Sequence, residues 1–392
     1  MTQAIKTYLV GGAVRDRLLG LAVKDRDWLV VHATPEWLLK QGYIQVGKDF
    51  PVFLHPQTKE EYALARTERK NGRGYTGFYC DFSPDITLEQ DLKRRDLTIN
   101  AIAQDIDGNL YDPYHGIQDL KQRKLRHISP AFSEDPLRIL RVARFAARFY
   151  AFNFTIAPET VTLMKSMVKQ GELADLTVER IWLETEKALL SPRCDIYFSI
   201  LHQIGATSLF PEFKPLFQSR CKLLTQSLKR LNLLLEDQND DQAPLFRFVL
   251  LCALLVSSET LSAIQRKQLI EKVQQLCQRY KIPNHYSKLA KLAMQFILPF
   301  SQTEHLSAND VIDLLDQLDC WRKPQRLEQL NILYRAIFTD FGLAQQKQWQ
   351  HWYQQAKSVD IQQIIADGFQ KQTIKKELYR RRVATISQYF NG

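Results

Sequence analysis

No two cysteines of the chain stand close enough in sequence to suggest a zinc or redox centre: the six, at positions 80, 194, 221, 252, 277 and 320, form no Cys-x-x-Cys pair. They read as buried thiols of a reducing compartment. The histidines make neither a His-Glu-x-x-His nor a His-Asp dipeptide, which argues against a histidine-built metal site. Long apolar runs are missing as well. The longest, Phe248 to Val256, falls well short of the ~20 residues of a membrane helix, so no membrane span is predicted. The opening Met-Thr-Gln-Ala-Ile-Lys-Thr lacks the charged start, apolar centre and cleavage site of a secretion signal. A cytoplasmic protein is the expectation. Acids are the scarcer charge, leaving a net +10, and that surplus favours an anionic partner, whether nucleic acid or a membrane surface.

At 392 residues the chain exceeds the ~250 to 300 over which one core keeps growing, so two or more domains are expected. Within residues 1–132 the runs TYLV, DWLVV, YIQV, PVFLH and YALAR, set off by Gly, Pro and charged residues, predict strands. Helical pieces at Ala13 to Leu19 and Pro35 to Gln41 end at Gly20 and Gly42. From Ser133 onward the apolar period becomes 3.6 and stays so. The expected fold is therefore α+β, with strands and helices in 1–132 and helices over the rest. Breaks are predicted at 211–217, 235–244 and 281–284. No repeat of fixed period and no low-complexity segment is present.

Asp25 and Asp27 head the second apolar run. If a strand runs from Asp25 to Val31, period two turns both carboxylates to one face, with Cα atoms about 7 Å apart. Such a pair is either a charged turn entering a strand or a clamp for Mg²⁺, which takes oxygen ligands and is commonly shared with substrate phosphates. The residues before it favour the clamp. Strand TYLV, then Gly11-Gly12, then a helix carrying Arg15 in its first turn aims backbone N–H groups and a guanidinium at an anion such as a triphosphate.

Lys93-Arg-Arg-Asp-Leu-Thr-Ile-Asn-Ala is a basic cluster followed by an expected helix with Asp96 near its start. Arg95 could reach phosphate or sugar there, and Asn100 a ribose hydroxyl or only the backbone. Asp112 lies in a turn-rich connector and could orient other groups. In SEDPLRILRVARFAAR, residues 133–148, Asp135 and Pro136 suit a helix N-cap and first position. Arg138, Arg141, Arg144 and Arg148 then follow at spacings that stack four guanidinium groups in one stripe, with no acid after Asp135 along the helix. A polyanion or nucleotide against that face would relieve the repulsion. Asp135 and Arg138 offer an acceptor and a donor that could read a base edge. Two further basic clusters, WRKPQR (321–326) and KKELYRRR (375–382), suit a phosphate backbone with stacking beside it.

The ordered motifs Gly11-Gly-Ala-Val-Arg-Asp, Asp25-x-Asp27, Arg94-Arg-Asp-Leu-Thr-Ile-Asn-Ala and Glu134-Asp-Pro-Leu-Arg-Ile-Leu-Arg resemble the signatures of class II tRNA nucleotidyltransferases. These CCA-adding enzymes share a polymerase-β-like head with bacterial poly(A) polymerases. The likeness is strong over residues 5 to about 215, closest to gamma-proteobacterial members, and reaches the two C-terminal basic clusters. It implies a nucleotidyltransferase head, a helical neck with the nucleotide-selecting helix, and a helical body and tail that bind tRNA. It implies that Asp25 and Asp27 hold catalytic Mg²⁺, and that Gly12, Arg15, Arg95, Arg141 and Arg144 contact nucleotide. Asp135 and Arg138 would serve as an amino-acid template accepting CTP and ATP while refusing GTP and UTP. Residues Arg66 to Phe78 would be a mobile loop assisting the change from C to A. Glu61 is the candidate for a third head carboxylate. The implied partners are the 3′ end and acceptor arm of tRNA, with no obligatory protein partner.

One departure is plain. Many relatives carry a phosphohydrolase domain marked by His-Asp where this chain reads APLFRFVLLCALLVSSETLSAIQ, residues 243–265. Without that dipeptide no phosphatase or cyclic phosphodiesterase activity is expected. The alternatives to CCA addition are poly(A) polymerase, addition of CC alone or of A alone, and a non-catalytic RNA-binding protein that kept the fold.

Overall fold

A computed structural model describes residues 4–23, 25–46, 52–70, 78–236, 240–258 and 260–390, the side chains of 68–70, 78–80 and 240 excepted. Two compact units emerge: Met1–Ala188 with Ile196–Ala206, and Leu189–Asp195 with Thr207–Gly392. The segment boundary expected at 132/133 falls inside the first unit.

The first unit opens with β1 (Lys6–Val10), α1 (Gly12–Leu18), β2 (Asp27–Val31), α2 (Pro35–Lys40), β3 (Ile44–Val46), β4 (Val52–Leu54) and β5 (Glu61–Leu64), as the alternating runs predict. An antiparallel pair of β6 (Thr67–Lys70) and β7 (Phe78–Asp81), then α3 (Leu88–Lys93), β8 (Ala103–Gln104), β9 (Leu110–Tyr111) and α4 (Gly116–Gln122) complete the sheet region. Seven strands form one sheet in the order β3-β4-β5-β2-β1-β8-β9. Its central β2–β5 pair is parallel and the other pairs are antiparallel. Period two sorts the apolar side chains onto its faces. Tyr8, Val10, Leu29, Val31 and Ala65 pack with Leu92 and Ala103 on one, while Val30, Leu38, Phe53 and Leu64 pack on the other.

The helix expected after Arg95 is not formed. α3 ends at Lys93, before the motif, and Thr98–Asn100 make a single 3₁₀ turn. Tertiary contacts override the local pattern: Thr98 N–H bonds the Arg126 carbonyl and its hydroxyl donates to Asp119 at 2.7 Å. Gly116 packs so tightly that a Cβ there would lie 2.2 Å from the Thr98 carbonyl oxygen. The strands β8 and β9 escape sequence reading because each has only two residues, joined by the Asp105 to Asn109 turn.

After β10 (Lys124–Leu125) come α5 (Leu137–Arg148), β11 (Thr155–Ile156, parallel to β10), α6 (Pro158–Lys169), α7 (Val178–Leu189) and α8 (Cys194–Gln203). The second unit is helical throughout its described residues: α9 (Lys214–Gln218), α10 (Cys221–Leu235), α11 (Ala243–Val256), α12 (Ala263–Arg279), α13 (Asn284–Ser301), α14 (Ala308–Gln317), α15 (Gln325–Ile337), α16 (Leu343–Lys357), α17 (Ile361–Ala366) and α18 (Gln372–Ser387). The break expected at 211–217 is a 3₁₀ turn running into α9.

α11 is apolar on every side and buried along its whole length, as such a helix must be in water. Its one cation, Arg247, donates to the Leu189 and Leu190 carbonyls and to Asn232. Among the described residues no helix is long and apolar enough to cross a membrane. Cys194, Cys252, Cys277 and Cys320 are buried thiols, as expected, and burial pushes Cys194 and Cys320 up to about 12. Cys221 is exposed, against that expectation.

Candidate active site

β2 begins at Asp27, two residues later than the sequence pattern predicts. Asp27 is the first residue with ladder partners, Val10 on β1 and Glu61 on β5, and Asp25 lies in the approach to the strand. Asp27 shares the sheet face of Leu29 and Val31. Protein crowding around its carboxylate, and secondarily the like charge of Asp25, raises its pKa above the ordinary aspartate value, while Arg95 pulls the other way. Glu61 sits opposite Asp27 on the next strand, yet among the described residues no three His, Cys, Asp or Glu side chains gather closely enough to hold a metal ion.

The glycine requirement of the β1–α1 turn falls on Gly11. Its φ is +70°, and a Cβ there would lie 2.7 Å from Arg95 Nη1. Gly12 is instead the first residue of α1, where a Cβ would make only ordinary contact with Arg15. The Arg95 guanidinium is thus pressed against the turn backbone. It donates from Nη1 to the Asn100 carbonyl at 3.5 Å, and Nη2 lies 3.3 Å from Asp91. Among the described residues its buried Nε–H has no partner. Gly11, Arg95 and Asp27 form the centre of the candidate site: a backbone turn, a cation with a spare donor, and a carboxylate.

Arg15 is enclosed rather than presented. It is 3% exposed, bonds Asp16 and the Asn100 side-chain oxygen, and its guanidinium lies 5.0 Å from the Phe145 ring and 5.1 Å from that of Phe149. Burial lowers its pKa against the pull of Asp16. Asn100 in turn donates to Asp96 at 2.9 Å, so its side chain binds two neighbours of its own unit. Asp96 also takes Arg141 Nε at 2.7 Å. Despite its burial, the charge of Arg141 holds the Asp96 carboxyl well below the usual range. Asp112 caps α4 by accepting the N–H groups of Gly116 and Ile117.

The arginine stripe on α5 meets acids after all, supplied by other elements. Arg141 pairs with Asp96, Arg144 with Glu184 on α7 at 2.6 Å, and Arg148 with Asp16 at 2.8 Å. Arg138, 8% exposed, donates to the carbonyls of Ala131 and Arg94. Asp135 stands just before α5, one position earlier than the expected cap, and still accepts the Leu137 N–H at 3.1 Å. Its other oxygen accepts Arg180 Nη2 of α7 at 2.8 Å. Sequence reasoning missed Arg180 and Glu184. At four residues apart on one helix they look like an intrahelical pair, whereas Glu184 reaches across to α5 and Arg180 to the residue two before its start.

In the second unit the two basic clusters, about fifty residues apart in sequence, come together. A groove of about 780 Å³ is lined by the cations Arg322, Lys375, Lys376 and Arg382 beside Trp321 and Tyr379, with the acids Asp316 and Asp319 also in its wall. The Arg382 guanidinium lies 3.6 Å from the Trp321 ring centre. Arg380 and Arg381 are tied to Glu377 instead. The loop expected at Arg66 to Phe78 falls largely on residues 71–77, outside the described residues.

Family models of the poly A polymerase head domain and of the probable RNA- and SrmB-binding site of polymerase A match residues 7–126 and 153–217. The "Multifunctional CCA protein" of Pasteurella multocida is 50% identical, covering 98% of this chain and 97% of its own. The "CCA-adding enzyme" of Actinobacillus succinogenes is 49% identical, covering 98% of each. Among solved structures, the Thermotoga maritima CCA-adding enzyme complexed with tRNA matches with a TM-score of 0.68 at 21% identity, over 98% of this chain and 88% of that one. That likeness establishes the fold.

Proposed function

The chain belongs to the family of CCA-adding enzymes, and from that premise we propose that it adds C, C and A from CTP and ATP to the 3′ end of tRNA, without a template and with release of pyrophosphate. Its fold is the polymerase-β-like nucleotidyltransferase head followed by helices. The observation that carries the reading is the meeting of Asp27, Arg95 and Gly11 at the end of the β1–β2 pair.

The nucleotidyltransferase family points to a divalent metal. Asp25 and Asp27 suit a hard cation, because each charge disfavours the other and both donors are oxygen. We assign the ion as Mg²⁺, which tolerates a pair of protein carboxylates when phosphate and water complete its coordination. Bound there, it would activate the terminal ribose hydroxyl and balance charge on the leaving pyrophosphate. Arg95, whose side chain is 19% exposed, offers its guanidinium to the triphosphate beside the Gly11-Gly12 backbone. Arg15 acts at one remove, holding Asn100 and the α1–α5 contact in place.

For base choice, the Asp135 carboxylate accepts a hydrogen bond from the exocyclic amino group that cytosine and adenine share. Uracil and guanine put a carbonyl oxygen at the same edge and are refused. Arg138 supplies the donor beside that acceptor, while Arg141 and Arg144, paired with Asp96 and Glu184, fix the position of α5 beside the nucleotide. The basic groove around Trp321 contacts the tRNA backbone, and the protein works in the cytoplasm. The division into head (1–132), neck (133–205) and body with tail (206–392) is kept in this reading, as is the absence of phosphohydrolase activity.

Purified protein, Mg²⁺ and a tRNA lacking its last three nucleotides decide among the alternatives. CTP followed by ATP should be incorporated, stopping after three additions. A long A tail would instead mark a poly(A) polymerase, a stop after CC or a requirement for a preformed CC would mark partial addition, and absence of product would mark a binding protein.

A further inference from the structure

α7 carries two charged residues one turn apart, Arg180 and Glu184, and both cross to the base-reading element: Arg180 to Asp135 at 2.8 Å and Glu184 to Arg144 at 2.6 Å. The Asp135 carboxylate is held at both ends, Oδ1 by the Leu137 N–H and Oδ2 by Arg180. A carboxylate has about four acceptor sites. With one on each oxygen engaged, its plane is fixed while further lone pairs stay available to a ligand. We propose that Arg180 is a specificity-determining positioning residue, which sets the plane of the Asp135 carboxylate and so its preference for an amino group over a carbonyl at the base edge. This rests on the assignment of Asp135 as base reader.

Without Arg180 the carboxylate is free to rotate about its Cβ–Cγ bond. An Asp135 that turns away no longer confronts uracil O4 with an acceptor, and the penalty on UTP falls. Arg144 and Glu184, each mostly buried, anchor the same two helices against each other, so the side-chain change at 180 alters the carboxylate rather than the helix pairing.

The test compares kcat/KM for CTP and UTP on a tRNA lacking its terminal nucleotides, in the wild type, Arg180→Gln, Arg180→Lys, Asp135→Ala and the Arg180→Gln/Asp135→Ala double variant. Failure of the wild type to prefer CTP would sink the base-reading assignment itself. Given that preference, Arg180→Gln should lower the CTP-to-UTP ratio roughly tenfold or more, the size of a lost discriminating contact. Arg180→Lys should give an intermediate ratio, because a point charge cannot hold the plane as a fork does. In the Asp135→Ala background the Gln change should lower the ratio no further, since the two act as one unit. An unchanged ratio with both rates reduced together, or an equal loss of ratio with and without Asp135, would overturn the proposal. Should Arg180→Gln not fold, the Lys variant decides alone: an intermediate ratio supports the proposal and the wild-type ratio refutes it.

Discussion

Gly11 shows how little room a single side chain has here. Gly11→Ala would place a methyl group 2.7 Å from Arg95 at φ +70°, so Arg95 must move or the backbone must strain. A stability loss of about 1–3 kcal/mol is expected, measurable by urea unfolding, with nucleotide incorporation reduced further than that loss explains. Gly12→Ala, which meets only ordinary contact, should be far milder. Asp27 offers a test by pH. Its folded-state pKa is raised, so the ionised form is penalised in the fold, and the penalty is present above the folded value and vanishes below the unfolded one. Asp27→Asn should therefore raise the melting temperature of the metal-free protein at neutral pH, and the gain should shrink as pH falls through the carboxylate range. A gain that is absent at neutral pH would contradict the assignment. The aspartate pair was legible in the sequence because its spacing and its neighbouring glycines are local. The burial of Arg15 was not, since Phe145, Phe149 and Asn100 reach it only through folding.

The strands β1 to β5 were readable from period two, and α5 from period 3.6, because apolar patterning records which face is buried. What the pattern of α5 could not record is the origin of its counter-charges: Asp16, Asp96 and Glu184 come from three other segments. The stripe that looked like bare cation is a set of cross-element ion pairs. Arg144 and Glu184 have side chains 13% and 4% exposed, so Arg144→Met strands a nearly buried carboxylate and should cost about 3 kcal/mol. Adding Glu184→Met should recover most of that stability while leaving incorporation impaired. Chemical denaturation of both variants checks the first point and single-nucleotide kinetics the second. The missing helix after Arg95 has a similar cause: Asp119 and Arg126 capture Thr98 and set a single tight turn where local propensity alone suggests more.

Across the whole chain the net charge of +10 is reflected in the groove that joins residues 321–322 with 375–382. Sequence showed the two basic clusters but not their meeting, which depends on Arg382 stacking over Trp321. Lys375→Ala with Lys376→Ala should weaken tRNA binding and steepen loss of affinity less with added KCl than in the wild type, while KM for CTP stays close to its original value. Filter binding over a salt series checks this, because each phosphate contact contributes to the salt slope. The same chain has a fully buried α11, apolar but for Arg247, where the resemblance would place a His-Asp metal site. The central claim, that Asp25 and Asp27 serve ordered CCA addition, is tested most directly by incubating wild-type and Asp27→Ala protein with Mg²⁺, CTP, ATP and a tRNA lacking its last three nucleotides. The account predicts a product three nucleotides longer with the wild type and none with Asp27→Ala, with tRNA binding retained by both. Undiminished extension by Asp27→Ala, or an open-ended A tail from the wild type, would contradict it.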